Sequence, residues 1–153
     1  MDRAASTVPS ATEPALTFVR VFDAPRTLVY RVWTETGFVE QWWGCEGSTA
    51  ASCAMDVRVG GSWHIAIRTP DGVVHANGGQ YLEVIENERL VYTDGPSVST
   101  ISFTDEADGT RVTLHIRLQS LADRDGMLEA GVVIGIEQSL DRVALLLARA
   151  GRQ

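Results

Sequence analysis

Two short stretches constrain this chain more than any others: Gln41-Trp42-Trp43-Gly44, and Arg58-Val59-Gly60-Gly61-Ser62-Trp63. Each tryptophan carries a large apolar body and one N–H that needs a partner when buried. A Gly-Gly pair entering a strand-like run permits backbone geometry or close approach that a Cβ would block. Together they predict a strongly bent sheet closing over an aromatic-lined interior, which is the architecture of a container.

At 153 residues the chain is long enough for one domain with its own core. Its 44% hydrophobic and 22% charged residues are ordinary for a globular protein. The formal charge of -7 and the absence of a basic cluster argue against nucleic acid and anionic membrane surfaces as partners. No apolar run reaches membrane-spanning length and no signal-peptide pattern opens the chain, so no membrane insertion and a cytoplasmic location are expected. The two cysteines, Cys45 and Cys53, are expected to be free thiols, because a domain of this size does not need the small loop they would close. They lack Cys-x-x-Cys or paired-His spacing, so no metal is expected. No phosphate loop or dinucleotide fingerprint occurs, and no cofactor is expected.

Residues 1–14 are rich in Ala, Ser, Thr and Pro without apolar period and read as a disordered leader. Thr17–Asp23 reads as a first strand. Pro25 then opens a helix over Arg26–Trp33, capped at Asp23 or Ala24, with Leu28, Val29, Val32 and Trp33 on one face. Gly37 separates it from a second short helix over Phe38–Trp43. From Ser48 to Leu118 the pattern is antiparallel sheet, with turns at Pro70-Asp71-Gly72, Asp94-Gly95-Pro96 and Asp108-Gly109. Gly78-Gly79 suggests a bulge. In the last strand Val112, Leu114, Ile116 and Leu118 share the face that packs inward. The spacing of Leu128, Val132, Val133, Ile136, Leu140, Val143 and Leu147 predicts one amphipathic helix over Met127–Arg149, about six turns long. Gly131 and Gly135 would thin it along one stripe, admitting a close neighbour or leaving room for a guest.

Trp42 and Trp43 lie about 100° apart on one helical turn, so one should anchor the helix pair and the other rim an opening. Trp33 reads as core. Among the three histidines, His64 and His115 fall on the polar strand faces, and the direction of His75 depends on the Gly78-Gly79 geometry. No Ser/His/Asp or Cys/His set can be assembled from spacing alone.

The order of elements resembles the helix-grip arrangement of the START/Bet v 1-like (SRPBCC, polyketide cyclase/dehydratase) superfamily. That is an α+β fold in which a curved antiparallel sheet of about seven strands wraps a long C-terminal helix, with two short helices after the first strand. Eight blocks resemble its branch named for the activator of Hsp90 ATPase, across residues 16–150. They are Ala24-Pro25, Val32-Trp33, Gln41-Trp42-Trp43-Gly44, Arg58-Val59-Gly60-Gly61, Gly79-Gln80-Tyr81-Leu82-Glu83-Val84, Glu88-Arg89-Leu90-Val91-Tyr92-Thr93, Gly109-Thr110-Arg111-Val112-Thr113-Leu114 and Ser139-Leu140-Asp141-Arg142-Val143. Three positions depart from the branch: Cys45 and Asn87 stand where Pro is common, and Ile136 follows Gly135 where Trp is usual. The missing indole implies a different interior from that of relatives.

The expected function is therefore the binding of a small hydrophobic molecule, lipid, aromatic or polyketide-like. The side chains expected to line its cavity are Trp42, Trp43, Trp63, Ile65, Gln80, Tyr92, Phe103, Leu114, Val132, Gly135 and Ile136. The superfamily resemblance also implies a cyclase, dehydratase or hydrolase alternative, for which His75, Gln80 and Tyr92 are the candidate catalytic residues. The branch name implies a third, a chaperone-linked module with a place in stress response. Hsp90 stimulation is not expected, because nothing before Leu16 supplies a further domain. A homodimer is left open.

Overall fold

The computed structural model describes residues 6–9, as backbone, and 13–150. The elements are β1 (Ser6–Pro9), β2 (Ala15–Phe22), α1 (Arg26–Thr34), α2 (Thr36–Trp42), β3 (Thr49–Met55), β4 (Ser62–Arg68), β5 (Val74–Ile85), β6 (Arg89–Asp94), β7 (Ser97–Glu106), β8 (Gly109–Arg117), α3 (Leu121–Glu129) and α4 (Val132–Ala150). The strands form one antiparallel sheet in the order β1-β2-β8-β7-β6-β5-β4-β3. α1 and α2 carry the chain from β2 to the far edge at β3. The meander β3 to β8 then walks back until β8 pairs with β2. This is the expected α+β helix-grip fold.

Alternation sets the inner face. Leu16, Phe18 and Phe22 on β2, Ile101 and Phe103 on β7, and Val112, Leu114 and Ile116 on β8 are buried. Against them pack Val29, Tyr30, Val32 and Trp33 of α1 and the C-terminal part of α4, through Leu140, Val143, Leu146 and Leu147. Burial along α4 is uneven. Those four residues are buried, whereas Val132, Val133, Gly135 and Ile136 in its first turns are only partly so. The helix is thus seated at one end and stands off the sheet at the other.

Four expectations need correction. Ser6–Pro9, read as leader, forms an eighth, edge strand pairing with Leu16–Val19, where a terminal Pro is tolerated; residues 1–5 and 10–12 of that leader lie outside the described residues. The cap of α1 is Pro25 itself, whose carbonyl accepts from the N–H groups of Leu28 and Val29.

The single C-terminal helix is two. Gly131 has φ +78° and follows the Ala130 cap, whose N–H bonds to Gly126 O, while Gly131 N–H bonds to Leu128 O. A left-handed glycine ends a helix this way, so the apolar period runs through a break. Finally, Gly78 and Gly79 pair in regular register with His64 and Trp63; the β5–β6 register shift falls at Leu82, between Tyr81 and Glu83. The glycine pair serves close approach instead: a Cβ on Gly79 would lie 1.9 Å from the carbonyl oxygen of Thr93.

Candidate ligand-binding site

Aromatic side chains build one wall. Trp33 on α1 contacts Phe22, Phe103 and Trp42. Trp42 is buried, and its indole N–H donates to Val32 O at 2.9 Å, locking α2 to α1. Trp43 turns the other way and stays half-buried, 5.6 Å from Trp42 and 5.5 Å from Trp63. The run continues through Trp63 to Tyr92 and Tyr81 on the sheet. The division of labour expected for Trp42 and Trp43 is what the geometry has.

α4 holds the segment after Trp43 from the other side. The Ser139 hydroxyl accepts from Gly44 N–H at 3.1 Å and donates to Gly44 O at 2.8 Å. Gln138 accepts from Glu46 N–H at 3.0 Å. The Arg142 guanidinium donates to the carbonyls of Trp43, Gly44, Cys45 and Ser48 over 3.1–3.5 Å. Partial burial disfavours its charged form, yet a guanidinium stays charged in proteins. Four guanidinium–carbonyl contacts, with the Ser139 hydroxyl on Gly44 O, fix the loop that forms the cavity's rim. Two of the family-like blocks, Trp-Trp-Gly and Ser-Leu-Asp-Arg, therefore meet in space.

Between this rim, the first turns of α4 and the sheet lies a cavity of about 370 Å³. Trp42, Trp43, Tyr92, Leu114, Ile116, Val132 and Ile136 give it an apolar lining, and Gly135 leaves open space, because a Cβ there would meet nothing within 4 Å. At the β6–β7 end the lining turns polar, with Asn77, Asp94, Ser97 and Ser99. Asn77 donates from its amide nitrogen to both Asp94 oxygens, at 3.1 and 3.3 Å, and Ser97 Oγ donates to Asp94 O at 2.8 Å. Burial raises the Asp94 carboxyl above the usual range, against the pull of Asn77 and the Gly78 N–H. Burial also raises the phenols of Tyr92 and Tyr81 far above their ordinary value, so both are neutral at physiological pH.

Of the eleven expected lining residues, Trp42, Trp43, Tyr92, Leu114, Val132, Gly135 and Ile136 come together here. Trp63 and Ile65 line a crevice of about 20 Å³ beside it, room for about one water molecule. Phe103 is core, stacked edge-on to Tyr30 and Trp33, and does not reach the cavity. Gln80 is exposed, on the opposite face from its neighbours Gly79 and Tyr81. His75 is exposed, 3.4 Å from Thr69 Oγ1, so the three candidate catalytic side chains are not assembled. His64 is exposed, and His115 is half-buried against Thr17 Oγ1 at 3.0 Å. Cys45 and Cys53 are free; Cys45 lines the cavity, and burial pushes the Cys53 thiol up.

Asp94, Asn77, Ser97, Ser99 and Ser139 were not anticipated. A signal existed for Asp94: it lies two and four residues after Tyr92 and Leu90, both buried, and so shares their face. Among the described residues no cluster of three or more His, Cys, Asp or Glu side chains is placed to hold a metal ion, and no helix is long and apolar enough to cross a membrane.

A curved sheet gripping a helix over a lined cavity defines a member of the START/Bet v 1-like superfamily. Within it, the chain belongs to the activator of Hsp90 ATPase homolog 1-like protein family, whose model matches residues 23–148. Solved structures agree on the fold. A protein from Nitrosomonas europaea is 23% identical over 95% of this chain and 100% of its own, with a TM-score of 0.88. A protein from Mycobacterium smegmatis is 23% identical over 95% and 98%, with a TM-score of 0.88. An AHSA1-like protein from Aeromonas hydrophila is 16% identical over 91% and 95%, with a TM-score of 0.73. A comparison with curated proteins returns no match.

Proposed function

We propose that this chain binds a small hydrophobic molecule in the cavity between the sheet and the first turns of α4, with no catalysis assigned. The observation that carries the reading is the stand-off of those turns, which leaves about 370 Å³ lined by Trp43, Tyr92, Leu114, Ile116, Val132 and Ile136. That volume lies within the range of small-molecule sites, roughly 300–1,000 Å³, and apolar walls with a few convergent polar groups are their usual composition. The family's fold is consistent with a ligand-binding domain.

An enzymatic role has less support. Of its three candidate side chains only Tyr92 borders the cavity, and burial keeps that phenol protonated, so it can donate a hydrogen bond but cannot act as a base near neutrality. The link to Hsp90 rests on the family's name, whereas the present reading rests on an interior space.

Native mass spectrometry of protein purified from its own source should show a retained molecule, and apolar compounds of matching size should raise the melting temperature. Protein that carries nothing, and that shifts with none of a broad set of such compounds, would overturn the proposal.

A further inference from the structure

The polar end of the cavity is chemically one-sided. Asp94 is the only charged side chain among the described residues lining it; no arginine or histidine faces it there. Asn77 spends its amide N–H groups on the two Asp94 oxygens, which leaves its own carbonyl oxygen as an acceptor. Ser97 spends its hydroxyl proton on the Asp94 backbone carbonyl, which leaves its lone pairs. A carboxylate has about four acceptor directions. Asn77 and the Gly78 N–H use only part of that capacity. Carboxylate, amide and hydroxyl oxygens thus converge at the end of an apolar space whose aromatic walls include Tyr92 and Trp43.

From this juxtaposition we infer that the guest is a hydrophobic amine, bound with its ammonium group at Asp94 and its apolar body against Trp43, Leu114, Val132 and Ile136. An ammonium supplies three N–H donors and no acceptor, the complement of this set of oxygens. Its charge restores the balance that burial of Asp94 disturbs, and the aromatic faces nearby add cation–π attraction. A fatty acid is the wrong ligand for the same reason: it would set a second carboxylate beside the first with no cation between them. The inference rests on the binding reading above and specifies the chemistry of that same site.

The test is a matched series, 4-phenylbutylamine, 4-phenylbutanol and 4-phenylbutyrate, titrated at pH 7.5 into the wild-type chain and into Asp94→Asn, followed by calorimetry. The amine should bind about tenfold or more tighter than the alcohol, and the acid weakest. In Asp94→Asn the amine should lose its advantage, so that the ratio of amine to alcohol affinity falls about tenfold or more towards one. An amine no tighter than the alcohol in the wild-type chain overturns the inference while leaving the cavity reading in place. So does an amine preference that survives in Asp94→Asn. Failure of all three probes to bind the wild-type chain overturns the inference, while the cavity reading falls only if mass spectrometry and the broad set of apolar compounds also find no guest.

Discussion

The indole N–H of Trp63 donates to the backbone carbonyl of Thr93 at 2.9 Å, passing over Gly79, its partner on β5. Trp63 sits on β4 and Thr93 on β6, so the bond spans the intervening strand. It is available only because Gly79 has no side chain: a Cβ would lie 1.9 Å from that carbonyl oxygen and 2.5 Å from Thr93 Oγ1. Gly79→Ala should therefore force β5 and β6 apart and strip Trp63 of its acceptor, lowering unfolding stability by about 3 kcal/mol. Trp63→Phe, which removes the N–H but keeps most of the apolar body, should cost about 1–2 kcal/mol. Urea unfolding of both variants checks the order; equal stability of Gly79→Ala and the wild-type chain would contradict it.

Arg142 supports a second prediction. Its guanidinium answers carbonyls from Trp43 to Ser48, with no carboxylate in the set. Arg142→Met would keep much of the apolar stem and leave those carbonyls without a donor, at a cost of about 1–3 kcal/mol. The damage should be local. Hydrogen exchange at the Gly44, Glu46 and Ser48 amides should accelerate more than at Ile101 or Val112 in the core. Arg142→Lys should recover only part of the protection, since an ammonium lacks the planar fork that reaches several carbonyls at once.

How far the sequence reveals this arrangement depends on whether a period is interrupted. Leu114 and Ile116 were placed inward by plain alternation, and the opposed directions of Trp42 and Trp43 follow from helical geometry alone. Gln80, expected at the cavity, lies outside it because Gly78 and Gly79 pair in regular register and the strand keeps its alternation. With the phase unbroken, Asn77, Gly79 and Tyr81 turn inward and Gln80 turns out; the true bulge comes later, at Leu82. The break at Gly131 was hidden for the converse reason, since the apolar spacing continues across it while one positive φ divides the helix. Asp94 was absorbed into a turn signal, Asp-Gly-Pro, that is real and begins at the same residue. Which polar groups face a cavity depends on how far each strand runs before it turns, and local patterns do not carry that distance.

Asp94 also makes a prediction about pH. Its carboxyl is raised in the folded chain, chiefly by burial, above the ordinary value of 3.8 that the unfolded chain retains. Between those two values the folded state holds more protons than the unfolded one, so this residue's contribution to stability falls as pH rises through the folded pKa. At neutral pH the folded chain bears the full cost of a partly desolvated carboxylate. Asp94→Asn should remove that cost while its side-chain oxygen still accepts from Asn77. The variant should melt higher than the wild-type chain at pH 7, and the advantage should shrink as pH falls towards 4. A lower melting temperature for Asp94→Asn at pH 7, or a difference independent of pH, would contradict the assignment.

Gly135 separates stability from binding. It lies within α4, where glycine costs up to about 1 kcal/mol relative to alanine, and a Cβ there meets nothing within 4 Å. No packing reason on the protein's side requires the absence of a side chain; what the glycine preserves is cavity. Gly135→Ala should therefore raise the melting temperature by about 2–4 °C. Gly135→Leu should place a branched side chain in the space a guest would use, so it should fold as well as the wild-type chain yet bind 4-phenylbutanol at least about tenfold more weakly. Thermal melts and calorimetric titration of the two variants give the answer. A destabilised Gly135→Ala would mean that the space is already filled, and undiminished binding by Gly135→Leu would place the guest elsewhere on the molecule.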